Sequence, residues 1–100
     1  MKVEFSKTFI KQTRKLSGKN LKSIHDVIAE VEAARRIEEV TDCTRLVGYK
    51  SIYRIRIGSL RAFLTLHIEI IGSVVHFQFL VSRGQAYTKK TETELKRIDA

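Results

Sequence analysis

No proline occurs in the 100 residues, only five are glycine, and a single cysteine is present. Long loops and flexible linkers draw heavily on proline and glycine, so a chain poor in both is built mostly from regular elements. One thiol cannot close an intramolecular disulfide, which fits a reducing cytoplasm, and Cys43 reads as a small, semi-buried apolar residue. Residues 1–10, MKVEFSKTFI, interleave charged with apolar positions and contain no signal-peptide core. The longest apolar-rich stretch, Leu60 to Val81, is broken by Arg61, His67, Glu69, Gly72, His76 and Gln78, so it cannot span a bilayer. Histidine, cysteine and carboxylate nowhere fall at metal-ligand spacing, and neither a metal nor another cofactor is expected. Repeats and low-complexity tracts are also missing.

What the chain has in excess is positive charge. Lysine and arginine number 19 against 11 acids, for a net charge of +8. From Thr44 to Lys90 the basic residues are Arg45, Lys50, Arg54, Arg56, Arg61, Arg83, Lys89 and Lys90, and the only acid is Glu69. The first third is closer to balance by comparison. That segregation points to a polyanion partner, because charge serving solubility alone would be mixed. A 43% hydrophobic content and this length suit one compact domain over residues 1–100.

Two periodicities divide the chain. Lys2 to Phe5 reads as a short strand, and Ser6 as the N-cap of a helix to about Leu16 with Phe9, Ile10 and Thr13 inward. Gly18 is expected to end it. A second helix, from about Asn20 to Ala34, carries Leu21, Ile24, Val27, Ile28, Val31 and Ala34 at helical spacing. Ile37 and Val40 anchor the connection that follows. After Asp42 the period becomes two, with strands around Tyr53–Ile57, Leu60–Ile70 and Val74–Ser82. Val75, Phe77, Phe79 and Val81 fall on one side of the last strand. Gly58-Ser59 and Gly72-Ser73 each suit a two-residue type II′ turn, giving a three-strand meander covered by the helical hairpin. Thr91 and Glu94 form a capping box for a last helix that Leu95 and Ile98 dock only weakly.

The first turn sets Arg56 opposite Arg61, and Arg54 opposite Phe63. Guanidinium groups therefore gather on one sheet face with no carboxylate near in sequence. A planar fork of permanently charged donors is well matched to phosphate oxygens. Arg61 and Arg83 are expected to be exposed. Strict pairing from the second turn, however, puts Arg83 opposite Ala62 on the aliphatic side, where a guanidinium does not belong. A bulge, or an early end to the strand near Ser82, would return it to the basic face.

Leu46-Val47-Gly48-Tyr49, then Tyr53-Arg54-Ile55-Arg56-Ile57-Gly58 and Arg61-Ala62-Phe63, resemble the central signature of RelE/ParE toxins. Val81-Ser82-Arg83 with Tyr87 resembles their last strand and tail. The resemblance covers nearly the whole chain. It implies an α+β fold: an N-terminal strand and antiparallel helical hairpin packed on a twisted antiparallel sheet, with a short C-terminal helix. It also implies the toxin of a type II toxin–antitoxin pair, working in the cytoplasm. For the RelE-like branch the implied activity is ribosome-dependent cleavage of mRNA. There the RNA 2′-hydroxyl attacks its adjacent phosphate, leaving a cyclic phosphate and a free 5′-hydroxyl.

On matching positions, Arg61, Arg83 and Tyr87 are the implied catalytic residues, and Arg54, Arg56, Lys50 and Arg45 the implied RNA contacts. Arg83 would face the leaving group, while Tyr87 would meet the 2′-hydroxyl or stack on a base. The implied partners are mRNA in the ribosomal A site and a cognate antitoxin whose segment is acidic and partly apolar. Relatives with a more conventional site place a histidine beside the terminal arginine or near the C-terminus, and a glutamate on the sheet. In this chain Ser82 precedes Arg83, and His67 and His76 share the face of Arg61 but lie toward the far turn. The alternative is a ParE-like, non-enzymatic inhibitor of DNA gyrase, a branch that typically lacks the full arginine set.

Overall fold

The computed structural model describes residues 1–99. Strand β1 (Lys2–Phe5) leads into helices α1 (Lys7–Arg14) and α2 (Gly18–Ala33). Strands β2 (Cys43–Arg45), β3 (Ile52–Ile57), β4 (Leu60–Ile68) and β5 (Ser73–Ser82) follow, and helix α3 (Lys89–Asp99) closes the chain. The sheet order is β1-β5-β4-β3-β2, with β1 parallel to β5 and every other pair antiparallel.

Ser6 caps α1 as its sequence position requires, its hydroxyl accepting the Phe9 N–H at 3.0 Å. The helix stops at Arg14, two residues short of the expected Leu16. Gly18 opens α2 instead of closing α1. Phe9 is buried, but Ile10 is half-exposed rather than inward, because the short helix turns only its Phe9 side to the sheet. Phe5, Phe9 and Phe77 cluster with ring centroids 5.2–5.7 Å apart, and Ile24, Val31, Ile55, Ala62, Leu64 and Val75 extend this core between hairpin and sheet. Each fully buried large aliphatic or aromatic side chain there contributes roughly 1.5–3 kcal/mol. Ile37 and Val40 are buried as anchors of the connection to β2.

The first hairpin matches the expected register: Ile57 faces Leu60 and Arg56 faces Arg61 across Gly58-Ser59. Gly58 has φ +59° and Ser59 does not have positive φ, as a type II′ corner requires. The second hairpin is wider than expected. Ile68 pairs with Ser73, so four residues from Glu69 to Gly72 form the loop, and the Glu69 N–H donates to the Gly72 carbonyl at 3.0 Å. Gly72, at φ +80°, ends a longer loop rather than starting a tight one. Ile70 and Ile71 consequently stand in solvent.

A β-bulge then resets β5. Phe63 pairs with Phe79 but Leu64 pairs with Phe77, leaving Gln78 as the extra residue. Beyond it the alternation flips. Val75 and Phe77 face the helical hairpin together with Leu80, whereas Phe79 and Val81 join the opposite face. The expectation that all of Val75, Phe77, Phe79 and Val81 share one side is therefore wrong by one step of pleat.

Those reversed residues make a second core under α3. Ile52, Phe63, Phe79, Ala86 and Leu95 are buried together, with Leu46, Tyr49, Val81 and Ile98 around them. Leu95 keeps only 4% of its surface, so α3 is docked firmly, not weakly. The helix starts at Lys89, two residues before the expected cap. Thr88 receives the Thr91 N–H at 3.4 Å, while Thr91 is buried and donates its hydroxyl to the Gln85 carbonyl at 2.7 Å. Glu94 pairs with Arg97 rather than completing a capping box. Asp99 pins the far end, its carboxylate accepting the Lys50 and Ser51 N–H groups at 2.9–3.2 Å. Among the described residues no helix is long and apolar enough to cross a membrane.

Candidate functional site

Each arginine of the sheet owes its position to a local device. Arg56 and Arg61 are directly opposed because the Gly58-Ser59 turn takes only two residues. β5 ends at Ser82, and a single 3₁₀ turn over Arg83–Gln85 carries the chain off the sheet. Both escapes open to Arg83 in the sequence are thus used: a bulge shifts the register, and the strand stops one residue before it. The Arg83 N–H donates to the Ser59 carbonyl at 2.8 Å, which ties the 3₁₀ turn to the β3–β4 corner. Arg83 therefore reaches the basic face beside Arg61.

Arg56, Arg61, Arg83 and Tyr87 line one open recess of about 510 Å³. Arg56, Arg83 and Tyr87 are exposed, Tyr87 at 70%. Arg61 is not: it keeps 9% of its surface, and its Nη1 donates to the carbonyls of Gly58 and Leu60, both at 2.8 Å. A guanidinium has five donors, so two bonds to the turn leave others for a ligand. The expectation of a fully exposed Arg61 is corrected by this contact, since the residue also holds the corner shut.

Arg54 is equally buried, at 9%. Its Nη1 donates to the Tyr87 hydroxyl, and its guanidinium carbon stands 5.9 Å from the centre of the Tyr87 ring. Its Nε is buried with no partner among the described residues. The position fixes the tyrosine from behind while keeping positive charge under the recess. Arg45 lies on β2 opposite Tyr53, on the side of the sheet away from Arg54, and its Nη2 donates to the Lys50 carbonyl at 2.8 Å. Lys50 is exposed in the β2–β3 loop. Neither residue lines the recess.

The ion pairs among the described residues are Lys22–Asp26, Lys96–Glu92 and Arg97–Glu94, and the His76 ring lies 3.2 Å from the Glu4 carboxylate. None touches Arg54, Arg56, Arg61 or Arg83. Setting Arg56 opposite Arg61 costs up to about 1 kcal/mol, a penalty that a bound anion would remove. His67 and His76 meet edge to face, ring centroids 4.6 Å apart, at the opposite end of the β4–β5 ladder from Arg61. No group of three or more metal-ligating side chains among the described residues could hold a metal ion.

Cys43 does not take part. Burial above all, then the nearby Glu38 and Glu30 carboxylates, raise its thiol from the ordinary 9.0 to about 11. Native protein at pH 8 is therefore expected to react with a maleimide far more slowly than protein unfolded in guanidinium, where the thiolate is accessible. Linkage has a definite sign. The contribution of the neutral buried thiol is complete below pH 9 and is lost as the pH rises through 11, because the unfolded chain ionises first. Equal labelling rates in the two states would contradict this placement.

No family model matches the chain. Toxin RelE3 of Methanocaldococcus jannaschii is 32% identical over 88 residues, which span 87% of this chain and 96% of the relative. This chain belongs to the RelE toxin family. Solved structures share the fold of this RelE-family toxin. The RelB–RelE antitoxin–toxin complex from Methanococcus jannaschii aligns with a TM-score of 0.67 at 24% identity, over 85% of this chain and 95% of that one. The archaeal RelE–RelB complex from Pyrococcus horikoshii OT3 gives 0.67 at 22%, over 85% and 97%. A double arginine-to-alanine mutant of Escherichia coli toxin RelE in the free state gives 0.69 at 19%, over 99% and 97%.

The sequence named Arg56, Arg61, Arg83 and Tyr87, and the fold of this RelE-family toxin brings all four together. Sequence reasoning missed the tie between Arg54 and Tyr87 and the anchoring of Arg61. The apolar residues Ile52 and Phe63, alternating onto the arginine face, were the available signal that something covers that face.

Proposed function

We propose that this RelE-family toxin cleaves mRNA in the ribosomal A site through attack of a 2′-hydroxyl on the adjacent phosphate. The observation that carries the reading is the recess where Arg56, Arg61 and Arg83 face one volume, unopposed by any paired carboxylate, with Tyr87 at its wall. In the attack, the 2′-hydroxyl gives up its proton to solvent as its oxygen bonds to phosphorus, and the bond to the 5′-oxygen breaks, that oxygen taking a proton from solvent to leave as the 5′-hydroxyl. Charge grows on the non-bridging oxygens and then on the leaving oxygen. Arg61 answers that charge with donors held in place by the turn carbonyls, and Arg83 with an uncommitted guanidinium on a backbone tied to Ser59. Arg56 holds the incoming backbone. Tyr87, braced by Arg54, meets the sugar or the base at the same wall.

The partner that restrains such a toxin is an antitoxin with an acidic, partly apolar segment that folds over the basic recess. Two of the solved relatives above are toxin–antitoxin complexes, which supports this reading. Working on mRNA places the toxin in the cytoplasm.

Programmed ribosomes incubated with the protein test the activity. New RNA ends inside the A-site codon, carrying a cyclic phosphate and a 5′-hydroxyl, are the expected result. RNA binding should also weaken steeply with added salt, since arginine contacts release counterions. Intact mRNA, with growth arrest and inhibited gyrase, would overturn the proposal in favour of a protein target.

A further inference from the structure

At the end of the sheet away from the arginine recess, His67 lies opposite Val74 and His76 opposite Thr65. That register makes the two histidines diagonal neighbours across the β4–β5 ladder, a separation that long side chains span. Their rings stand 4.6 Å apart, centre to centre, with planes at 81°. We propose that the pair chelates one divalent transition ion of right-angle coordination, Ni²⁺ or Cu²⁺, beside the β4–β5 turn. The inference is independent of the RNA-cleaving reading, since neither histidine lines the arginine recess.

The spacing selects the metal. A metal–nitrogen bond of about 2.0–2.1 Å sets an ion about 3.2 Å from the centre of an imidazole that binds it. Two ring centres 4.6 Å apart then subtend nearly a right angle at the ion. Neighbouring positions of a square-planar or octahedral ion make that angle, whereas the wider tetrahedral angle of Zn²⁺ needs rings about 5.2 Å apart. Crossed ring planes are compatible with this, because each plane need contain only its own metal–nitrogen bond. Imidazole suits both ions, and both hold nitrogen donors more tightly than Mn²⁺, Fe²⁺ or Co²⁺ does.

Glu4 prepares one of the two ligands. From β1, the strand next to β5, its Oε1 lies 3.2 Å from His76 Nδ1. A carboxylate there favours the proton on Nδ1 and leaves the lone pair on Nε2, as in metal-bound histidines backed by a carboxylate. Glu4 thus acts behind the ring and stays out of the coordination sphere. His67 is exposed and the His76 side chain keeps 30% of its surface, so water can fill the remaining positions of an open, two-ligand site. Spacing along the chain does not mark the pair, because a hairpin and not a helical turn brings it together. A bound ion cross-links β4 to β5 next to the Glu69–Gly72 loop, and Glu4 extends the link to β1.

The test titrates the whole protein, prepared without a histidine tag, with Ni²⁺ by calorimetry and follows its thermal unfolding. One ion per chain is expected, and at about 100 times the dissociation constant it should raise the thermal midpoint by roughly 10 °C. His67→Asn and His76→Asn should each weaken binding by roughly tenfold or more. His25→Asn, on an exposed position of α2, should bind as wild type does. His67 is exposed, so without the ion its variant should unfold at the wild-type midpoint. Substoichiometric Cu²⁺ should broaden the ring-proton resonances of His67 and His76 before those of His25, a readout that requires no variant. Ni²⁺ binding equal in wild type and His67→Asn, or broadening centred on His25, overturns the chelate and leaves the two rings as a packing contact. Zn²⁺ bound more tightly than Ni²⁺ overturns the right-angle geometry.

Discussion

Arg83→Ala is expected to lower ribosome-dependent mRNA cleavage by roughly a hundredfold or more, with little change in stability. The side chain is exposed, and it makes no hydrogen bond to the protein among the described residues. Its backbone tie to Ser59 survives the substitution, because only the N–H is used. What disappears is the donor that the proposed mechanism sets where charge builds, which is a loss in rate. Arg83→Lys keeps the charge but loses the planar fork and should recover only part of the activity. Arg61→Ala makes a different comparison, since it removes recess charge together with two hydrogen bonds to the β3–β4 corner. That variant should lose stability as well as activity. An Arg83→Ala protein that cleaves within a few-fold of wild type would show that Arg83 does not carry the charge-stabilising role.

Leu95→Ala should cost about 2–5 kcal/mol, the range for emptying a well-packed core position. Leu95 is 4% exposed in the cluster with Ile52, Phe63, Phe79 and Ala86. For a chain of this size each kcal/mol moves the thermal midpoint by roughly 4–8 °C. Calorimetry or urea unfolding reads the change directly. A loss under about 1 kcal/mol would mean that α3 rides on the sheet without packing into it, as its sparse apolar stripe alone implies.

The contrast between that stripe and the observed burial shows what a sequence can convey. Arg56 opposite Arg61 was legible because a glycine-led two-residue turn leaves one possible register. The helical hairpin was legible from the spacing of Ile24 and Val31, and Phe9 marked the inner side of α1. The second core was not, because its members are scattered over Ile52, Phe63, Phe79, Ala86 and Leu95, with Phe79 read as part of the aliphatic face and Leu95 as a weak contact. Gln78 hid most. A bulge residue is chemically unremarkable, yet it exchanges the faces of everything after it, and no propensity marks the place. β2 was missed for a simpler reason: Cys43-Thr44-Arg45 is too short to show an alternation. At the site, residue identities were readable while the division of labour was not. Whether an arginine is free for a ligand or committed to a carbonyl or a tyrosine depends on contacts across the fold.

The parallel pairing of β1 with β5 sets the order in which this toxin can assemble. Val3 lies beside Val75 and Phe5 beside Phe77, so the first strand made must wait for the last. Closing a loop of that length costs entropy before any contact repays it, and such non-local topologies fold slowly. Arg83, Tyr87 and α3 come later still. A nascent chain whose synthesis stops before β5 has no partner for β1, no second core and only half of the arginine recess. Until the C-terminal segment is available, then, a polypeptide emerging from a ribosome lacks the recess on which the proposed cleavage of ribosome-bound mRNA depends.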